Sequence, residues 1–303
     1  KVFKLKGRPG SDPLIVHISD HAQLEDVADL SQLTAFEYQE LLLLIKNFWP
    51  GPLTLVLPKL KQVPGVVTSG LKTVAVRMPK HNVARSLIRA AGVPLAAPSA
   101  NRFQSMSPTT ARAVEKELGQ NLLILDGGPC RVGVESTVLH LGREVVILRP
   151  GGVSRENIEK VLNRKIPVIK AKQVARKFLK MGPGMMSFHY APRKSLKVVG
   201  FEKLLKTTNG SNKKKGRNRD QKISERQNVA LICHSEKQKS RLPGFRKYYV
   251  LSKSLNLDEA SRKLFRALRQ ADESKVKSIV AILAPEKALG VAINDRLNKA
   301  KHR

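Results

Sequence analysis

The chain has 303 residues, 41% of them hydrophobic, with 56 Lys+Arg against 24 Asp+Glu and a net charge of +32. That length favours two domains, and that apolar content builds real cores, which excludes a chain disordered throughout. The basic excess favours anionic partners such as nucleotides, phosphates or RNA, although most single lysines read as solvated surface.

No apolar run approaches the roughly 18 residues that a membrane span needs. One such run, Leu41 to Ile45, sits inside a helical pattern and reads as core. No signal peptide is visible, and Cys130 and Cys233 lack CxxC spacing. The expected compartment is a reducing cytoplasm, with no structural zinc and no membrane contact. The charge is uneven: Lys160 to Phe201 carries eleven basic residues and no acid. The run from Lys213 to Arg219 reads as a mobile loop.

In chain order, Leu14–Ile18 reads as a buried strand and Ala35–Trp49 as a helix. Strands are predicted at Leu53–Leu57, Thr73–Arg77, Leu95–Ala97, Leu122–Leu125 and Val145–Leu148. Helices are predicted at Val83–Ala91, Thr110–Leu118 and Glu156–Leu162. The alternation argues for an α/β layer fold. Several strands stand too close together for a crossover helix, which predicts a mixed sheet. Gly182 to Met186 breaks the pattern and opens an interdomain linker that runs to Ala191-Pro192-Arg193. Beyond it, strands at Val229–Cys233, Tyr248–Leu251 and Ile279–Leu283 surround a helix capped by Asp258, and a final helix spans Pro285–Ala300.

No GxxxxGK[ST] loop, strand-borne GxGxxG, HExxH or GxSxG is present. What remains is a set of polar groups beside strands: Lys6-Gly7-Arg8, Arg77, Ser99-Ala100-Asn101 and Arg149-Pro150-Gly151-Gly152. Taken singly, a strand-end arginine reads as a surface ion pair, and His17 as a hydrogen-bonded core histidine. His189-Tyr190 reads either as structural or as an aromatic hydroxyl folding over a phosphate. As a set, basic groups without nearby acids point to an anionic ligand beyond the strand ends.

These blocks resemble the two-domain form of the threonylcarbamoyl-AMP synthase family, whose catalytic part is a YrdC-like domain. Its K-x-R and S-x-N signature matches Lys6-Gly7-Arg8 and Ser99-Ala100-Asn101. Pro13 to His17, Phe48 to Thr54, Ser107 to Thr109, Glu135 to Val138 and Leu148 to Gly151 also match. So do Pro183-Gly184-Met185 and His189 to Pro192 in the linker, and Ala260–Arg269 and Leu289–Ala300 in the second domain.

The resemblance implies a YrdC-like twisted mixed sheet with helices over 1–168, a linker or lid over 169–195, and a smaller Rossmann-like α/β domain over 196–303. It implies that N-carboxylated threonine, made from L-threonine and bicarbonate, attacks ATP with Mg2+ assisting. Lys6, Arg8, Ser99 and Asn101 would form the catalytic signature. Arg8, Asp12, Thr73, Ser99, Ser107, Arg149 and Tyr190 would touch ATP. His17, Arg77, Ala97 and Ser136 would meet threonine, with Arg77 on its carboxylate. No side-chain metal ligands are implied. A downstream transferase would pass the group to tRNA, with which the chain itself would make a weak contact.

Departures accompany the match, and two of them bear on the site. The family's Thr-rich block before K-x-R is absent, so the natural protein is expected to be longer. Asp12 stands where the family often has Asn or Lys. Two rival functions are an RNA-binding module and a carbamoyl-adenylate-forming enzyme for another acceptor.

Overall fold

The computed structural model describes residues 1–169, 189–208 and 226–301. The linker blocks at Gly182–Met186 and Pro183–Met185, and the basic run from Lys213 to Arg219, lie outside the described residues. The chain divides into two compact units. The first holds Lys1–Phe103, Thr110–Pro129 and described residues from Glu135 to 169. The second holds Gln104–Thr109, Cys130–Val134 and the described residues from 189 onward. Among the described residues no helix is long and apolar enough to cross a membrane.

The first unit is built on six strands: β1 (Ile15–His17), β2 (Leu53–Pro58), β3 (Thr73–Arg77), β4 (Leu95–Ala96), β5 (Thr137–His140) and β6 (Val146–Arg149). Their order is β4-β1-β3-β2-β5-β6. The pairs β1/β3 and β2/β5 are parallel, while β1/β4, β2/β3 and β5/β6 are antiparallel. The sheet is therefore mixed, as the short inter-strand spacings predicted.

Side chains alternate across a strand, so each strand feeds two faces. Val16, Leu53, Leu55, Leu57, Val74, Val76, Leu139 and Ile147 join the larger core. Leu41, Leu44 and Ile45 of helix Ala35–Phe48 pack there, with Ile158 and Leu162 of helix Arg155–Leu162. Each helix begins where its sequence caps it. Thr34 and Glu37 form a reciprocal capping box, and Ser154 accepts from the Asn157 N–H. The opposite face carries a smaller apolar group, Val56, Ala75, Val138, Val146 and Leu148, with Ile15 beside it.

The second unit stacks β7 (Ser195–Val199), β8 (Val229–Cys233), β9 (Lys247–Val250) and β10 (Ser278–Ile282) in the order β7-β10-β8-β9, all parallel. Helices Leu257–Glu273 and Leu289–Ala300 supply one apolar layer. Leu205 of helix Phe201–Thr208 packs with Leu242 and Phe245 in a separate cluster.

Three expectations are corrected, and one strand had not been expected. No strand forms over Leu122–Leu125, where Leu123 is 91% exposed: an apolar run without a ladder partner stays irregular. A strand at Thr137–His140 takes the place beside β2 instead. The long helix of the second unit is capped by Asn256, which accepts from the Glu259 N–H at 2.9 Å, rather than by Asp258. Lastly, Gln104–Thr109 and Cys130–Val134 fall outside an unbroken first domain. Met106 and Val134 enter the second core, and the Ser261 hydroxyl donates to Val132 O at 2.8 Å.

Candidate active site

The K-x-R motif ends the short helix Val2–Lys6. Gly7 then takes a left-handed φ of 63°, which glycine adopts without a Cβ clash, and turns the chain so that Arg8 N–H returns to Phe3 O. Lys6 is buried, and its Nζ donates to Ser99 O at 2.5 Å, to Asn101 O, and to Asn101 Oδ1 at 3.4 Å. Ser99 Oγ donates to Asn101 Oδ1 at 2.5 Å. The two halves of the signature, far apart in sequence, thus form one junction. Burial, and then the neighbouring Arg8 charge, lower the Lys6 pKa to about 8.

Arg8 is turned toward the entrance to β1. Its Nε donates to Asp12 O at 3.1 Å and one terminal nitrogen to Pro13 O at 2.8 Å. The same nitrogen sits 2.8 Å from Asp12 Oδ2, and both side chains are buried. A carboxylate can only accept hydrogen bonds, so Asp12 suits the guanidinium better than a phosphate.

His17, Arg77 and Thr54 lie side by side on three neighbouring strands. His17 pairs with Arg77, and Thr54 stands one step before Leu55, which pairs with Val76. Arg77 Nε donates to Gly51 O at 3.0 Å, which fixes the plane of its guanidinium. The His17 ring is held by Ile15 O at 3.2 Å and by the Leu95 backbone. Burial, and then the Arg77 charge, lower its pKa to about 4. The ring is therefore neutral near pH 7. Thr73 and Arg77 share one strand and one face, four residues apart, which is about 13 Å at the usual rise.

Buried Thr54 Oγ1 lies 2.7 Å from Ser136 Oγ. Buried Arg149 donates through Nε and a terminal nitrogen to Ser136 O at 3.3 and 2.9 Å, and to Ser136 Oγ at 3.3 Å. Gly151 lets these segments approach, since a Cβ there would stand 2.3 Å from Thr137 N. Ala97 is exposed beyond β4, with its N–H on Ile15 O at 3.0 Å. Thr54 was missed as a site residue. The signal was present as one hydroxyl inside the apolar run Leu53-Thr54-Leu55-Val56-Leu57.

Ser107 and Tyr190 belong to the second unit, and both are buried. Tyr190 has a φ of 68° and packs on Phe265, with ring centroids 5.3 Å apart.

The comparisons agree across the chain. A family model described as "Telomere recombination" (Sua5, YciO and YrdC) matches residues 1–151. One described as "Threonylcarbamoyl-AMP synthase, C-terminal domain" matches residues 153–301. The threonylcarbamoyl-AMP synthase of Pyrococcus abyssi is 40% identical over 308 residues, covering 99% of this chain and 83% of that protein. That of Bacillus subtilis is 39% identical, covering 99% and 82%. That of Schizosaccharomyces pombe is 36% identical, covering 99% and 78%. A crystal structure of P. abyssi Sua5 complexed with L-threonine superposes with a TM-score of 0.83 at 38% identity, covering 99% of this chain and 83% of that one. With both halves matched in order and its relatives matched over most of their length, the chain belongs to the threonylcarbamoyl-AMP synthase family.

Proposed function

We infer that the chain forms L-threonylcarbamoyladenylate from L-threonine, bicarbonate and ATP, releasing pyrophosphate. The threonine nitrogen bonds to the bicarbonate carbon, with loss of water. An oxygen of that carbamate then attacks the α-phosphorus, and the bond to the pyrophosphate oxygen breaks. The observation that carries this reading is the layout of one sheet face. His17 and Arg77 stand at one end of β1 and β3. Thr73 and the Lys6–Ser99 junction stand toward the other. A span of about 13 Å suits an amino acid joined to a nucleotide phosphate.

In this reading Arg77 takes the threonine carboxylate, and neutral His17 adds no charge to repel the ammonium. Ala97 and Ser136 line the same subsite. Lys6, Arg8, Ser99 and Asn101 neutralise and orient the polyphosphate, with Thr73 alongside, while the family pattern also gives ATP to Arg149, which is held on Ser136. Asp12 enters through Arg8. The family pattern also gives Ser107 and Tyr190 to ATP. Among the described residues no three His, Cys, Asp or Glu gather. Mg2+, which the family pattern brings with ATP, would ride on the phosphates and neutralise their charge. The product would pass to a separate transferase acting on tRNA in the cytoplasm.

The test is pyrophosphate release. It is expected only with threonine and bicarbonate both present; release from ATP alone at the same rate refutes the reading.

A further inference from the structure

We propose that Arg296 is a positioning residue whose buried guanidinium seats the Tyr190 ring and so ties the His189–Ala191 segment to the second unit. Arg296 is completely buried on helix Leu289–Ala300. Its guanidinium carbon stands 5.4 Å from the Tyr190 ring centroid, and one terminal nitrogen meets Asp295 Oδ2 at 2.5 Å. Tyr190 is also completely buried, with Phe265 at 5.3 Å and the His189 ring at 4.1 Å. The segment's backbone is fastened on both sides. His189 N–H donates to Lys299 O at 3.4 Å, and Ala191 N–H to Gln104 O at 3.1 Å.

Two features separate this seat from ordinary core packing. Burying a cation is costly, and apolar residues of similar volume commonly replace buried ion pairs without loss. A guanidinium kept there has a use for its charge, and the electron-rich face of Tyr190 supplies one. The Tyr190 φ of 68° is the second. A bulky aromatic residue holds that left-handed conformation only where its surroundings over-determine it. The backbone bonds and the stacked guanidinium are those surroundings. The second unit then has a defined task, which is to present one residue of the connecting segment in one conformation. The consequence for ATP rests on the proposed function, whereas the seat itself does not.

Amide hydrogen exchange on the whole chain tests the seat, with Arg296→Met as the first variant. The His189 and Ala191 amides are expected to exchange about tenfold faster, while those of β10 keep their protection. Unchanged exchange in a folded Arg296→Met protein overturns the proposal. Tyr190→Leu leaves Arg296 in place and should release the same two amides, whereas Tyr190→Phe, which keeps the ring, should not. Failure of that contrast overturns the proposal even if Arg296→Met does not fold. Pyrophosphate-release kinetics separate the two layers. Released amides with a raised KM for ATP and little change in kcat support both. Released amides with an unchanged KM leave the seat standing and remove Tyr190 from the ATP site.

Discussion

Lys6 Nζ donates to the backbone oxygen of Ser99 at 2.5 Å across 93 residues of chain, and this bond turns two short motifs into one site. Its charge is held with difficulty, because burial and Arg8 bring the pKa down to about 8. Lys6 is thus protonated near pH 7 and loses its proton as the pH rises through 8. The kcat/KM for ATP is expected to fall over that range at constant bicarbonate concentration. A flat profile to pH 9.5 would show that the Lys6 charge does not serve the triphosphate. Lys6→Met should lower activity at least tenfold, since it removes the donors that join the junction.

Arg77→Ala should weaken threonine binding and spare ATP. A hydrogen bond to a charged group contributes about 1.5–3 kcal/mol, or roughly 10- to 150-fold in affinity. Calorimetry with each ligand separately decides the matter. Equal losses for both ligands would refute the carboxylate role.

Asp12→Ala removes the carboxylate 2.8 Å from Arg8 in a buried pair. Breaking such a pair costs about 3–5 kcal/mol. A bound phosphate can restore part of that loss, so ATP should raise the Tm of the variant more than that of the parent. Thermal melts with and without ATP measure the difference. Equal shifts would mean that Arg8 does not face the nucleotide.

Thr54→Val keeps the shape and deletes the hydroxyl that meets Ser136 Oγ at 2.7 Å. Leaving a buried polar atom short of a partner costs about 1–3 kcal/mol. Denaturant unfolding should show that loss, and steady-state kinetics a raised KM for threonine with the KM for ATP little changed.

The His17 pKa of about 4 lies below the ordinary histidine value of 6.5, so the unfolded chain takes up a proton first as the pH falls. The contribution of neutral His17 to stability is complete above about pH 6.5 and disappears progressively toward pH 4. It amounts to roughly 3 kcal/mol. His17→Asn should flatten the stability profile over that window. A variant whose profile still parallels the parent would refute the shift.

Much of the first unit was legible in the sequence. Thr34 with Glu37 announces helix Ala35–Phe48, and β-branched runs announce β1, β2 and β3. The apolar run at Leu122–Leu125 misled, because apolar character promises burial only where a neighbouring strand offers a ladder. Thr137–His140 is a strand because β2 and β6 flank it, and of these β2 lies far away in sequence. At the site, the signature residues could be named from their spacing. Thr54 could not, because a threonine in a strand is usually only a good strand former.

By itself the sequence determined the family, the alternation of elements, the helix caps and the residues of the signature, all of which are written in short stretches of chain. Only the tertiary structure decided that Lys6 closes on Ser99 and Asn101, and that Asp12 faces Arg8. It also decided that Ser136 joins Thr54 and Arg149, and that Arg296 lies under Tyr190. Most of these are pairings between distant residues. They depend on strand register and on which faces share a core, and neither is encoded within any one segment.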